Sequence, residues 1–447
     1  MLRIMSFLDI ADVRADLSCA RIYEEGWQSW SPAGIYRVTA MSPQPADSRA
    51  ATMGWRAGKP APEDGFQSEG VLAVAGPAGA RAWYAPDPAR EVPSIRARLE
   101  GDTIVVAADG ATAEVEAESL DAALARVGDA LAPVQAGGRA VPRGWCSWYR
   151  YFGDVIAADV LENLDAADRL ELPLEVIQLD DGYEPVVGDW LDPSPRFGSL
   201  ADVLAAIGAR GRTPGLWTAP FLVGSESRLA REHPDWLVGG ADAGWNWRQH
   251  LYVLDVTEPH ATAHLERIYG SLAELGVRYH KLDFLYAGAI PGRRHASVDP
   301  IEAYREGLRI VRRGAGDDAV LVGCGAPLLP SIGLVDAMRI GPDILAEPRQ
   351  GTPMDASRSI AGAIEIASAR AWMNRRLWMN DPDCLVVRPE IADRDRWADF
   401  VARYAGLTVS SDRLVELDPH GIELTRLALA ARESAESAGP SGGEPER

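Results

Sequence analysis

The chain has 447 residues, 47% hydrophobic and 25% charged, enough for two or three domains with substantial cores and unlike a disordered or fibrous protein. Its net charge of −20, with no sustained run of Lys or Arg, argues against nucleic acid or an anionic membrane as partner, since both require a basic face, and favours a neutral small molecule. Four cysteines make no disulfide framework and suit a reducing compartment, and Met1–Ile10 lacks the apolar core of a signal peptide, so the chain reads as cytoplasmic and not membrane-bound.

Up to about residue 120 the signals are short strands at Gly70–Val74, Ala80–Tyr84, Ser94–Leu99 and Thr103–Val106, separated by Gly, Pro and Asp turns. That spacing predicts an N-terminal antiparallel β-sandwich, assigned to residues 1–135. A helix over Leu120–Leu131 follows, then a Gly/Pro-rich linker at Pro133–Arg139. From there to residue 406 strands alternate with amphipathic helical stretches, the pattern of βα units around a parallel sheet. The strands expected are Gly144–Tyr151, Leu174–Leu179, Thr213–Thr218, Leu251–Asp255, Val277–Leu282, Ala319–Cys324, Asp336–Ile340 and Leu377–Asn380. Helices are expected at Ala157–Glu171, Leu200–Arg210, Glu258–Leu275, Ile301–Arg313, Ser357–Asn374 and Asp393–Ala405. Eight such units over roughly 260 residues is the size of a (β/α)8 TIM barrel, whereas an open doubly wound sheet would need a Gly-rich turn after its first strand that is missing. Residues 407–447 form a short extension, with at most a strand and a helix over Leu414–Ala430 and a disordered tail at Glu433–Gly443.

Barrel sites are built at the C-terminal ends of strands, and polar and aromatic residues concentrate there. Lys281 and Asp283 fall on one face of a strand because side chains repeat with period two, so an ammonium holds the carboxylate ionised, as a nucleophile requires. Asp343, at the end of a later strand, supplies the second carboxylate that glycoside hydrolysis needs. Aromatics suit the apolar faces of a sugar ring, and carboxylates its hydroxyls. Singly, Asp180-Asp181-Gly182 is a turn, Trp217 a core residue, Arg339 a structural ion pair and Cys324 a small buried hydrophobe. Jointly, at successive strand ends, they form a set. His260 and His264 stand at helical i, i+4 spacing, but no Glu follows His260 and no third ligand is evident, so they read as structural and no metal is expected.

The segments Gly144-Trp145-Cys146-Ser147-Trp148-Tyr149, Leu179-Asp180-Asp181-Gly182-Tyr183, Gly215-Leu216-Trp217, Glu232-His233-Pro234-Asp235-Trp236, Lys281-Leu282-Asp283, Arg339-Ile340-Gly341-Pro342-Asp343 and Trp378-Met379-Asn380-Asp381-Pro382-Asp383-Cys384 together resemble glycoside hydrolase family 36, the α-galactosidases or melibiases. The resemblance implies Asp283 as nucleophile and Asp343 as general acid/base of a retaining double displacement. It further implies that Asp180 and Asp181 bind galactose hydroxyls, that Lys281 and Arg339 are charged partners in the pocket, that Trp217 packs on the sugar, that Cys324 lies near the 2-hydroxyl and that Tyr151 lines the pocket, with no cofactor. Glu25–Ser31 resembles the N-terminal segment whose tryptophan reaches the pocket in that family, with Trp27 and Trp30 as alternatives. The family usually adds a C-terminal β-sandwich, for which the residues after Gly406 are too few. The function so implied is hydrolysis of terminal α-linked galactose. Raffinose-synthase-like galactosyl transfer is the alternative with the same carboxylates, and a catalytically silent sugar-binding barrel is disfavoured by the presence of Asp283 and Asp343. Aglycone, linkage, tolerance of a 2-N-acetyl group and oligomeric state stay open.

Overall fold

A computed structural model of the protein describes residues 6–40, 42, 55–59, 62, 64–133, 141–192, 194–344 and 359–437. The linker expected after Pro133 and the tail beyond residue 437 lie outside the described residues.

The N-terminal part is an antiparallel sandwich. Strands β1 (Leu8–Arg14), β8 (Thr103–Ala108), β7 (Ser94–Glu100) and β4 (Phe66–Glu69) make one sheet in that order. The other runs β3 (Gly34–Arg37), β2 (Arg21–Glu24), β5 (Val71–Gly76), β6 (Gly79–Tyr84) and β9 (Ala113–Ala117). Alternate residues face inward: Phe66, Ile95, Ile104 and Val106 from the first sheet meet Ile22, Leu72, Val74 and Trp83 from the second. Helix α1 (Leu120–Leu131), capped by the Ser119 hydroxyl accepting from Ala122 N, leads toward the second domain.

That domain is a parallel sheet of eight strands in the order β19 (Met379–Asp381), β18 (Ala337–Arg339), β17 (Val320–Gly323), β16 (Tyr279–Leu282), β12 (Thr213–Thr218), β11 (Val176–Leu179), β10 (Gly144–Cys146) and β20 (Val409–Ser410). The edges meet: Gly406 N and Leu407 N, on the approach to β20, both donate to Asn380 O on β19, at 2.8 and 3.0 Å. The result is a (β/α)8 barrel. Strands β10, β11, β16, β17 and β18 are buried at every position, because one face fills the barrel and the other meets the helices. The helices are α2 (Trp148–Tyr151) and α3 (Ala157–Arg169) after β10, α4 (Leu200–Ala209) after β11, and α5 (Arg228–Glu232) and α6 (Pro259–Glu274) after β12. Then come α7 (Pro300–Ala315), α8 (Ile360–Ala369), α9 (Arg394–Tyr404) and α10 (Pro419–Ser437), after β16, β18, β19 and β20. Between β17 and β18 the described elements include only a 3-10 turn at Leu329–Ser331, and there residues 28–29 of the N-terminal domain pair with 326–327.

Two strand expectations are corrected and one strand is added. The expected strand Gly144–Tyr151 ends at Cys146, where Ser147 turns the chain into α2. The strand at Leu251–Asp255 is not in the barrel: β15 (Gln249–Val253) pairs antiparallel with β13 (Leu222–Gly224) and β14 (Trp245–Asn246) in an excursion after β12. Its burial alternates, with His250 and Tyr252 exposed, the mark of a sheet wet on one face. The true eighth strand is β20, whose two residues are too short to show as an apolar run. Asp283 and Asp343 therefore follow the fourth and sixth strands in chain order, and both flank β17, which carries Cys324 at its end.

Candidate active site

β16 pairs with β12 so that Lys281 stands opposite Trp217, and the two side chains serve different carboxylates. The Lys281 ammonium binds Asp180 Oδ2 at 2.9 Å, while the Trp217 indole N–H donates to Asp283 Oδ2 at 2.9 Å. Asp283 Oδ1 accepts from the N–H of Phe284 at 2.8 Å, a residue turned into the left-handed region at φ 51°; strain of this kind is kept where geometry is functional. Burial raises the Asp283 pKa; the Lys281 ammonium, the Cys324 thiol and the Trp217 indole pull it back, and Asp343 pushes it up. Lys281 runs the other way: burial opposes its charge, but Asp180 and Asp283 outweigh burial and raise its pKa.

Asp180 is the hub of the floor. Its Oδ2 accepts from Gln178 Nε2 at 2.7 Å and Cys146 Sγ at 3.3 Å as well as from Lys281, and its Oδ1 accepts from Asp181 N at 3.0 Å. Asp181 Oδ2 accepts from the indole of Trp247 at 2.8 Å. Trp217, 2% exposed, is edge-on to Trp190 and Trp247, so its N–H anchors Asp283 while its ring belongs to a tryptophan cluster.

On the far side of β17, Arg339 Nη2 reaches Asp343 Oδ1 at 3.2 Å and Asp383 Oδ2 at 2.5 Å. Asp343 is the accessible member, its side chain 40% exposed. Asp383 is buried and also takes the Tyr149 hydroxyl and the N–H of Ile344. Burial pushes the Asp383 pKa up to about 7 against the pull of Arg339, with Asp343 and Asp381 adding to the rise. The Arg339 guanidinium is thus held from behind by Asp383 and faces Asp343 in front.

The N-terminal domain completes the wall. Trp30, 8% exposed, packs edge-on against Phe284 and Tyr286 and against Cys324, and its indole N–H has no partner among the described residues. Trp27 instead lies under the Arg56 guanidinium, 4.1 Å from its ring centre. Of the two, Trp30 is the one at the site.

Asp283, Lys281, Asp180, Asp181, Trp217 and Cys324 are therefore grouped around one end of the sheet, with Arg339 and Asp343 facing them. Tyr151 is not drawn into the group: its hydroxyl accepts from Asn163 on α3 at 2.7 Å and its ring meets Trp145, behind the sheet. Tyr149, two positions earlier in the same motif, takes the inward position. Sequence reasoning passed over Trp247, Glu184, Tyr149 and Asp383. Asp383 and Tyr149 stood inside segments already singled out, but Trp247 sits in an excursion whose pairing carries no local signal. His260 and His264 pack around Trp236, the former bonded to Glu258 and the latter to Arg267. His264 and Trp236 border a separate cavity of about 400 Å³ behind Trp190.

An eight-stranded barrel presenting paired carboxylates and tryptophans at its strand ends has the groups that glycoside hydrolysis requires. The family model described as Melibiase matches residues 146–295, from the end of β10 to just past β16. Alpha-galactosidase AgaA of Geobacillus stearothermophilus is 30% identical over 127 residues, 26% of this chain and 17% of that protein. The alpha-galactosidase of Escherichia coli is 27% identical over 146 residues, 30% of this chain and 21% of that protein. These matched stretches span about a fifth of the length of the curated relatives. Among solved structures, the α-galactosidase TtGalA from Thermus thermophilus in complex with stachyose superposes with a TM-score of 0.80 at 26% identity, over 94% of this chain and 92% of that one. The GH36 α-galactosidase AgaA from Geobacillus stearothermophilus shares the fold at 13% identity, TM-score 0.64, over 95% of this chain and 62% of that one. Over residues 146–295 the chain is thus similar in sequence to the Melibiase family, and over nearly its whole length it shares the fold of α-galactosidases.

Proposed function

We propose that the protein hydrolyses terminal α-linked galactose from small galactosides or oligosaccharides by a retaining double displacement. The observation that carries this reading is the Asp283 carboxylate, fixed by Trp217 N–H on one oxygen and Phe284 N–H on the other, facing Asp343 across β17. Both oxygens are aimed, and the Lys281 charge lies close enough to favour the ionised form. Asp283 attacks the anomeric carbon while Asp343 protonates the leaving oxygen; water, deprotonated by Asp343, then releases galactose from the ester. Asp180 and Asp181 accept hydroxyls of the glycone, Cys324 lies beside the position of the 2-hydroxyl, and Trp30 closes the wall beside Cys324. Galactose is favoured as glycone because stachyose and p-nitrophenyl α-D-galactopyranoside are the molecules bound in the Thermus thermophilus structures. The absence, among the described residues, of a helix long and apolar enough to cross a membrane and the free cysteines accord with work in a reducing cytoplasm.

The test is Asp283→Gly assayed on p-nitrophenyl α-galactoside. Removing the nucleophile lowers kcat by roughly 10³-fold or more, and azide restores turnover with a β-galactosyl azide as product. Near-native turnover without azide would show that another residue attacks.

A further inference from the structure

We propose that Glu184 is a positioning residue of the glycone pocket: as a neutral acid it donates a hydrogen bond to Asp181 and fixes that carboxylate as an acceptor for a sugar hydroxyl. The proposal rests on the glycosidase reading above.

Asp181 and Glu184 are 6% and 7% exposed, and their side chains share a hydrogen bond. Two carboxyl groups can share one only if a proton sits between them, because an ionised carboxylate has no donor. The ammonium in this part of the pocket is already bonded to Asp180. The groups that face the pair are acidic or neutral: Asp180 and Asp283 act on Asp181, and Tyr183 lies beside both while its hydroxyl bonds to Trp217 O at 3.1 Å. Burial and then the Asp181 charge raise the Glu184 pKa well above its usual range. Burial raises Asp181 too, but the bonds from Glu184 and Trp247 favour its charged form. The Trp247 N–H on Asp181 at 2.8 Å is a closer donor than the Gly182 N–H on Glu184 at 3.3 Å, so the charge is placed on Asp181 and the proton on Glu184. An N–H from Gly182 approaches Glu184 Oε2 at 3.3 Å and orients the acid.

The other grip on Asp181 has a conformational cost. Trp247 and Arg248 form the two-residue turn between β14 and β15 with φ of 47° and 60°, where Asn-Gly is usual. Two consecutive non-glycine residues in the left-handed region are held where the turn delivers Trp247 Nε1 to Asp181 Oδ2. Asp181 is thus bonded from two sides and kept from turning away when the pocket is empty. Loss of the Glu184 proton would set two carboxylates against each other and release Asp181.

The experiment compares Glu184→Gln, Glu184→Ala and Asp181→Asn on p-nitrophenyl α-galactoside across pH, with thermal melts to confirm folding. Gln keeps a donor and cannot ionise, so E184Q holds kcat/KM within about threefold of wild type near neutrality and loses the alkaline fall that Glu184 ionisation imposes. E184A raises KM roughly tenfold or more with a smaller change in kcat, and D181N is worse. Three results would each overturn the proposal: E184A binding galactoside as wild type does, an unchanged alkaline limb in E184Q, or D181N active while E184Q is dead, which would put the proton on Asp181. If wild type ignores α-galactosides altogether, the functional reading fails separately, and the proton is read by infrared difference spectroscopy. A protonated-carboxyl band at neutral pH, lost in E184Q, supports the shared proton, and its absence from wild type defeats it.

Discussion

A carboxylate shielded from water must find compensation or give up its charge, and this chain does both within one domain interface and one pocket. Asp283 keeps company with an ammonium and three donors. Glu24, at the end of β2, has only the Ser42 hydroxyl at 2.6 Å on Oε1 and a backbone N–H from Gln67, while Oε2 has no partner among the described residues. Burial accordingly raises the Glu24 pKa from 4.5 to about 7. The folded state holds this proton after the unfolded chain has lost it, so the group's contribution is intact below pH 4.5 and declines until about pH 7. Since the sequence pI is near 4.8, the measurable window lies above it. Between about pH 5.5 and about pH 8.5, wild type should lose roughly 2 kcal/mol relative to Glu24→Gln in urea denaturation. A gap between the two proteins that does not change with pH would show that Glu24 ionises normally. At this scale the sequence was informative where chemistry is local: Lys281 and Asp283 share a face by strand geometry alone, and the Asp180-Asp181 pair needed only its place at a strand end. It was silent about Glu184, whose meaning comes from the shared proton, and it misjudged Tyr151 against Tyr149, because the short helix α2 after β10 sets which tyrosine turns inward.

At the scale of elements, the barrel was legible wherever a short, fully buried strand is followed by an amphipathic helix, as with β11 and α4 or β16 and α7. It misled at β15, where an exposed-and-buried alternation still looks like a strand, and at β20, where two residues suffice because neighbours supply the hydrogen bonds. What closes the sheet there is backbone proximity. A Cβ at Gly406 would lie 2.7 Å from Asn380 N and 3.0 Å from Met379 Cα, with Asn374 Oδ1 at 2.6 Å; two of these are main chain and cannot yield cheaply. Gly406→Ala should therefore cost about 1–3 kcal/mol by opening the seam between β19 and β20. Gly208, on the exposed side of α4 with open space where a Cβ would go, is the control, and Ala there should gain up to about 1 kcal/mol from helix propensity. Equal unfolding free energies for wild type and G406A would mean that the seam is loose.

For the whole molecule, the decisive contact is one that sequence pattern could not reveal. Arg370, after α8, and Glu25, in the sandwich, are both fully buried and bonded at 2.6 Å. The same guanidinium donates to the carbonyls of Ser29 and Ile340, each at 2.7 Å, and of Ser31 at 2.9 Å, and Glu25 also takes the Tyr23 hydroxyl. One side chain thereby ties the loop that carries Trp30 to the main chain next to Arg339. Hydrophobic contact alone would leave that loop free to slide, whereas the convergent donors of one guanidinium fix its register against β18. Removing either partner strands the other as a buried unpaired charge, so Arg370→Met should cost about 3–5 kcal/mol. Changing Arg370→Met and Glu25→Gln together should cost clearly less than the sum of the single changes, since no net charge is then left buried. Function should follow the loop and not the global stability: below its melting temperature the double variant keeps its fold yet shows a raised KM for galactosides, because Trp30 is no longer held against Phe284 and Cys324. Urea unfolding of the four proteins gives the coupling, and steady-state kinetics at a temperature where all are folded gives the rest. Strict additivity of the two changes, or an unaltered KM in the folded double variant, would show that the sandwich and the barrel are merely neighbours and that the pocket is complete without the clamp.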